Sequence, residues 1–180
     1  MSRIELRTLA GIFAAALILR AGAAILTETH PIFPSFYYTD AQRVELLVKS
    51  TLAAEKEGLP FAFNGTQSQL MQVKTQLALY RLFGPRPLDM KLLNSLLGAA
   101  SGAVLAAALL PAFGPGPALL SAALCAAWPS HVFFTSQNFK ESPSNLLAYL
   151  ALWGFMALLA GSTRRTASAV LIAAGVILAL

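Results

Sequence analysis

The chain is poor in the residues that staple small domains or hold metals. Its one cysteine, Cys125, excludes an intrachain disulfide framework and any multi-cysteine zinc or iron–sulfur site, and leaves the redox compartment unread. Two histidines, His30 and His131, leave little for a His-rich site. Charge is scarce too: Asp, Glu, Lys and Arg make up 12% of 180 residues, about half the usual share. Disorder, a long coiled coil and a nucleic-acid-binding module are therefore poor readings despite a net charge of +5, and no nucleic acid is expected as a partner. What is abundant is apolar, 57% of the chain. Lipid is the implied solvent, and the basic excess then serves membrane orientation.

From Leu92 to Phe139 there is no Asp, Glu, Lys or Arg, a run of 48 residues. A spanning helix needs only about 20 residues at roughly 1.5 Å each, so the run holds two spans, residues 92–110 and 118–134. Between them Pro111-Ala-Phe-Gly-Pro-Gly-Pro117 is expected to break the helix. Lys140 and Glu141 interrupt, a further span covers 146–160, and Arg164-Arg165 closes it. The first span is 9–26, flanked by Arg3 and Arg7 and broken only by Arg20. A signal peptide is the rival reading there, with Leu9–Leu19 as apolar region and Ala21-Gly22-Ala23 as cleavage site, but Arg20 directly after the apolar run tells against it.

The last apolar stretch, 167–180, covers only about 21 Å of a roughly 30 Å hydrocarbon core. A helix ending there leaves carbonyls unsatisfied in lipid, so the chain is expected to continue beyond Leu180 as part of a larger membrane protein. An inside N-terminus puts Arg3, Arg7, Arg164 and Arg165 on the cytoplasmic side. Arg86 and Lys91 then lie outside, in a first loop of residues 27–91 that is long enough to escape the positive-inside rule. No internal repeat or linker divides the chain. The expected fold is all-α: a single membrane module, residues 1–180, forming a polytopic transmembrane helix bundle with interfacial amphipathic helices in the first extracytoplasmic loop.

That loop carries two helical patterns. Thr39 with Gln42 has the form of a capping box, and Val44, Leu47, Val48 and Leu52 then share one face, away from Arg43, Glu45, Lys49 and Lys56. Gly58 and Pro60 end this helix. In the second, Leu70, Val73, Leu77 and Tyr80 oppose Gln72, Lys74, Gln76 and Arg81 and stop at Phe83-Gly84-Pro85. Both suit helices lying in the interface plane. Ahead of them Phe33, Phe36, Tyr37 and Tyr38, with Pro31 and Pro34, resemble an aromatic belt. Asn64-Gly65-Thr66 fits a glycosylation sequon, but so short a pattern often occurs by chance and an ordinary turn is the preferred reading.

Few residues are placed to do chemistry. Asp40 starts an amphipathic helix just outside the first span, where a carboxylate faces the membrane surface; an acid there also stabilises a helix by about 0.3–1 kcal/mol through the macrodipole. Lys140-Glu141 follows the polar cluster Thr135-Ser-Gln-Asn138, and Ser142 with Pro143 reads as an N-cap and first helical position. A helix N-terminus beside a cation suits a lipid-linked phosphate; the plainer account is an interfacial turn with a solvated ion pair. Arg20 either snorkels to the interface or faces the bundle and pairs with a carboxylate or phosphate. His131 reads as a hydrogen-bonded interfacial histidine, and Cys125 and Met156 as packing residues.

The order of parts is an arginine near the end of span one, Tyr37-Tyr38-Thr39-Asp40-Ala41, amphipathic helices, Leu82-Phe83-Gly84 and Lys91-Leu-Leu-Asn-Ser-Leu-Leu-Gly98. Trp128-Pro129-Ser130 and Thr135-Ser-Gln-Asn-Phe-Lys-Glu141-Ser142 follow. This order resembles the N-terminal portion of the glycosyltransferase C superfamily. The likeness is to its bacterial branch, similar to aminoarabinose transferases and protein O-mannosyltransferases (glycosyltransferase family 39-like). The resemblance implies a polytopic enzyme of the bacterial cytoplasmic (inner) membrane that moves a sugar from a polyprenyl-phosphate donor to an extracytoplasmic acceptor. Asp40 then matches the first-loop acid and Glu141 the acid between spans three and four, where other members carry Asp.

On that resemblance Asp40 and Glu141 are the catalytic candidates, and Lys140 and Arg20 the substrate-binding ones. A magnesium or manganese ion held by Asp40 and Glu141 is a further source of positive charge for the leaving phosphate. The expected partners are the polyprenyl-phosphate-linked sugar and membrane lipid. The alternative is a non-catalytic transporter or flippase module, or a structural subunit, handling a lipid-linked precursor.

Overall fold

The computed structural model describes residues 2–30, 39–59 and 67–159. The aromatic stretch 31–38, the Asn64-Gly65-Thr66 pattern, Arg164-Arg165 and the apolar stretch 167–180 lie outside the described residues. Among the described residues all regular structure is helical: α1 Arg3–Thr29, α2 Thr39–Lys56, α3 Gln67–Phe83, α4 Pro87–Phe113, α5 Pro115–Ala127, α6 Pro129–Ser136 and α7 Glu141–Leu159. Three helices are long and apolar enough to cross a membrane, and a fourth crossing results if α5 and α6, bent by 62° at their break, form one span.

The N-terminal helix starts on a capping box that its sequence spells as Ser2-x-x-Glu5. The Glu5 N–H donates to Ser2 Oγ at 3.2 Å and the Ser2 N–H donates to the Glu5 carboxylate at 2.7 Å. α4 is the central element, packing against α1, α5, α6 and α7. Its buried stripe is made of small residues, among them Gly98, Ala99, Ser101, Gly102, Ala106 and Ala108, which let helix backbones approach closely. Large apolar side chains point outward instead: Ile18, Leu120, Leu124 and Phe155 are exposed. Small residues at helix contacts with bulky ones outside is the pattern of helices solvated by lipid.

The break expected within residues 111–117 is present but confined to Gly114, and a second break divides a span expected to be continuous. Pro111 does not end α4, which continues to Phe113. So close to the C-terminus a proline removes one hydrogen bond, and the chain recovers: the Gly114 N–H still donates to the Leu110 carbonyl at 3.0 Å. The turn is Gly114 alone, at φ 75° and ψ −179°, a conformation that glycine adopts without a Cβ penalty. Pro115 and Pro117 then sit in the first turn of α5, where N–H groups have no helical acceptor. Conversely, residues 118–134 are not one continuous helix. Pro129 cannot donate to the Cys125 carbonyl, α5 ends at Ala127, and α6 departs at 62°.

Helices α2 and α3 form where the pattern puts them, and they pair with each other. Their apolar faces bury each other: Val44 and Val48 of α2 pack with Val73, Leu77 and Tyr80 of α3. Glu45 seals this hairpin, accepting from the Tyr80 hydroxyl at 2.5 Å and from the Gln76 side-chain amide. Burial pushes the Tyr80 phenol well above its usual range, and the Glu45 carboxylate adds to the shift. Arg81 pairs with Glu55 across the hairpin.

Candidate functional site

Arg20 is fully buried, so it does not snorkel. A guanidinium has five N–H donors in a rigid fork, and each finds an acceptor inside the protein. Nε donates to Thr135 Oγ1 at 2.8 Å, Nη1 to the carbonyls of Ala16 and Ala126 at 3.2 Å, and Nη2 to the Cys125 carbonyl and His131 Nδ1 at 2.7 Å. The Cys125 carbonyl is the one that Pro129 leaves without a helical donor. Arg20 thus caps the broken helix from across the bundle. A guanidinium only donates, so His131 Nδ1 accepts and the neutral ring carries its proton on Nε2. Gly98 makes room for this junction: a Cβ there would lie 2.5 Å from Thr135 Cβ. A lipid phosphate would have to displace one of these partners to reach Arg20.

Beyond α6 the polar run becomes a buried loop. Thr135, Ser136 and Gln137 have no exposed surface. Asn94, from the apolar α4, donates to the carbonyls of Gln137 and Phe139 at 2.6 and 3.0 Å, and Gln137 exchanges hydrogen bonds with Thr27 of α1 at 2.8 and 3.2 Å. Ser142 is not the N-cap of α7. Its hydroxyl donates to the Thr135 carbonyl at 3.1 Å, and the helix opens two residues earlier than expected, with the Ser144 N–H donating to the Lys140 carbonyl at 3.2 Å.

This loop delivers Phe139, Lys140 and Glu141 to a cavity whose other walls are Asp40 of α2 and Gln69 and Gln72 of α3. Residues 101 positions apart, Asp40 and Glu141, therefore line one space with a cation beside them. Asp40 and Lys140 are exposed, and Glu141 is half-buried. Phe139 is backed by Phe133 and Phe134, with ring centroids 6.3 and 5.7 Å away. Of the four sequence candidates, three share this cavity; the fourth, Arg20, serves the helix break.

A bare helix N-terminus would attract an anion, but here the Glu141 side chain itself stands in the first turn of α7. The Glu141 Oε2 is buried with no hydrogen-bond partner among the described residues. An unpartnered carboxylate oxygen beside a second carboxylate suits a hard divalent cation. No group of three or more His, Cys, Asp or Glu side chains able to hold a metal occurs among the described residues. Two carboxylates, with the remaining positions filled by phosphate and water oxygens, are the ligand set magnesium commonly takes. The fit is therefore to an ion shared with a phosphorylated ligand.

A larger cavity of about 400 Å³ is lined by Leu105, Ser121, Leu124, Cys125, Trp128 and His131; no carboxylate is among these residues, and His131 is engaged by Arg20. No protein-family model, curated protein or solved structure matches the chain. The case for a function thus rests on the cavity itself.

The pattern assigned Gln72 and Gln76 to the polar, outward face of α3, and this is corrected: they are 5% and 0% exposed. Gln72 Nε2 donates to the Asn138 carbonyl and side-chain oxygen at 2.7 and 3.0 Å, and Asn138 Nδ2 donates to Gln76 Oε1 at 2.8 Å. Their i, i+4 spacing beside the apolar stripe, and the lone amide Asn94 within an apolar span, were the available signals. Neither names a partner.

Proposed function

We propose that the protein is a membrane glycosyltransferase that moves a sugar from a polyprenyl-phosphate donor to an acceptor on the extracytoplasmic side of a bacterial cytoplasmic membrane. The observation that carries the reading is the shared cavity of Asp40, Lys140 and Glu141 at the end of apolar helices. A lipid-anchored phosphate donor meets a carboxylate and a cation at one membrane surface there.

In this reading the acceptor hydroxyl or amine attacks the anomeric carbon, the bond from that carbon to the phosphate oxygen breaks, and polyprenyl phosphate departs. Asp40 takes the acceptor's proton. It is exposed on the cavity wall, and a carboxylate has two oxygens, so the one left free of any bound ion is the proton acceptor. Lys140 compensates the charge developing on the leaving phosphate. Asp40 and Glu141 would hold a magnesium or manganese ion, which when bound supplies further positive charge to that phosphate. Glu141 is half-buried at the α7 terminus and lines the same cavity.

The test is Asp40→Asn, which keeps size and helix start but removes the proton acceptor. Single-turnover transfer should fall about 100-fold or more, while binding of the polyprenyl-phosphate-linked sugar changes little. Full transfer activity in Asp40→Asn would remove Asp40 from the mechanism. Lipid-linked sugar crossing the membrane without transfer would favour the carrier alternative.

A further inference from the structure

The cavity that holds Asp40, Lys140 and Glu141 has a volume of about 30 Å³, whereas ligand sites occupy on the order of 300 Å³ or more. A water or two fits; a phosphorylated sugar does not. The walls must part, and they belong to two bodies. Asp40, Gln69 and Gln72 come from the α2–α3 hairpin, while Phe139, Lys140 and Glu141 come from the loop that α1 and α4 anchor to the bundle through Thr27 and Asn94.

The hairpin has its own apolar core in Val44, Val48, Val73, Leu77 and Tyr80, which water cannot replace. The seam is made differently. Gln72 and Gln76 reach across it to Asn138, with three amide hydrogen bonds of 2.7 to 3.0 Å. Water substitutes for amide partners at little net cost, so the seam opens before the hairpin core does. A pivot lies where α3 joins α4: Gly84 has φ 88°, and nothing packs within 4 Å of where a Cβ would stand. We propose that the α2–α3 hairpin is a rigid lid over this cavity and that Gln72, Gln76 and Asn138 are its latch. The inference rests on the reading of the cavity as the transfer site, since only a larger ligand requires the lid to move.

The experiment uses spin-label distances in the full chain with Cys125→Ala as background. One label pair, at the exposed positions Lys74 on α3 and Ser144 on α7, spans the seam; a second, at Ser50 on α2 and Lys74, lies within the hairpin. Asn138→Ala removes both side-chain bonds of the latch. It should add a seam population longer by about 5 Å, one helical turn, and leave the hairpin distance unchanged. Polyprenyl phosphate added to the background protein should populate the same longer distance. An unchanged seam distance in Asn138→Ala and in Gln72→Leu, or broadening of both pairs together, overturns the lid. The distances need no turnover: a lid that opens in a protein inactive toward every lipid-linked sugar refutes the transferase and keeps the latch, whereas transfer with a static seam refutes the latch alone.

Discussion

Replacing Arg20 by methionine keeps an unbranched apolar stem of similar length and removes the donors at the helix break. Five N–H groups are lost, but not all of their acceptors suffer. The Ala16 carbonyl lies within α1, and Thr135 Oγ1 still donates to the His131 carbonyl at 2.6 Å. The Cys125 and Ala126 carbonyls carry the cost, because residue 129 is a proline and Arg20 contacts them at 2.7 and 3.2 Å. An acceptor stranded in a buried setting costs roughly 1–3 kcal/mol, and relief from burying a guanidinium offsets part of that. A net loss of about 3 kcal/mol follows, which in a chain of this length lowers Tm by roughly 6–12 °C. Thermal unfolding in detergent, followed by the fluorescence of Trp128 at the break in a Trp153→Phe background, measures it. Arg20→Lys, with three donors on a compact head, should fall between the parent and Arg20→Met. An Arg20→Met protein melting within about 2 °C of the parent would refute the claim that Arg20 supports the break.

Gly98→Ala puts a methyl 2.5 Å from Thr135 Cβ and 3.1 Å from Arg20 Nε; overpacking of this kind costs about 1–3 kcal/mol, and Gly11→Ala, with nothing within 4 Å, is the control that should melt like the parent. The raised Tyr80 phenol makes the unfolded chain ionise first, so hairpin stability should hold below about pH 10 and fall as pH rises above it. Helix content against pH measures this, and Tyr80→Phe should flatten the alkaline fall; an identical profile in the variant would clear Tyr80. For orientation, single cysteines at Ser50 and at Gly114, in a Cys125→Ala background, should react with a membrane-impermeant thiol reagent from opposite sides, Ser50 from outside, because the 27 residues of α4 separate these ends by about 40 Å. Reaction of both from one side would reverse the topology.

The existence of the helices was legible because it depends on local pattern. Val44, Val48, Val73 and Leu77 fall at helical spacing whatever they pack against, and charge-free runs of this length have few alternatives to helix in lipid. Helix breaks were read less well. Pro111 and Pro129 are chemically identical, yet the helix tolerates one and bends sharply at the other. What differs is the company: near Pro111 the chain is about to turn at Gly114, while at Pro129 a distant arginine takes over the freed Cys125 carbonyl. A proline signal alone carries no information about that second donor.

By itself the sequence determined that this chain is helical and apolar, that a two-helix insert follows the first long helix, and that Asp40, Lys140 and Glu141 stand at helix starts. Each follows from short-range periodicity, capping chemistry and the cost of burying charge. Only the tertiary structure decided that Asp40 meets Glu141 across one cavity, that Gln72 and Gln76 face inward to Asn138, and that Arg20 spends its donors on a helix break. Hydrogen bonds between residues a hundred positions apart have no periodicity to betray them: they exist because buried polar groups must be paired, and folding chooses the partner.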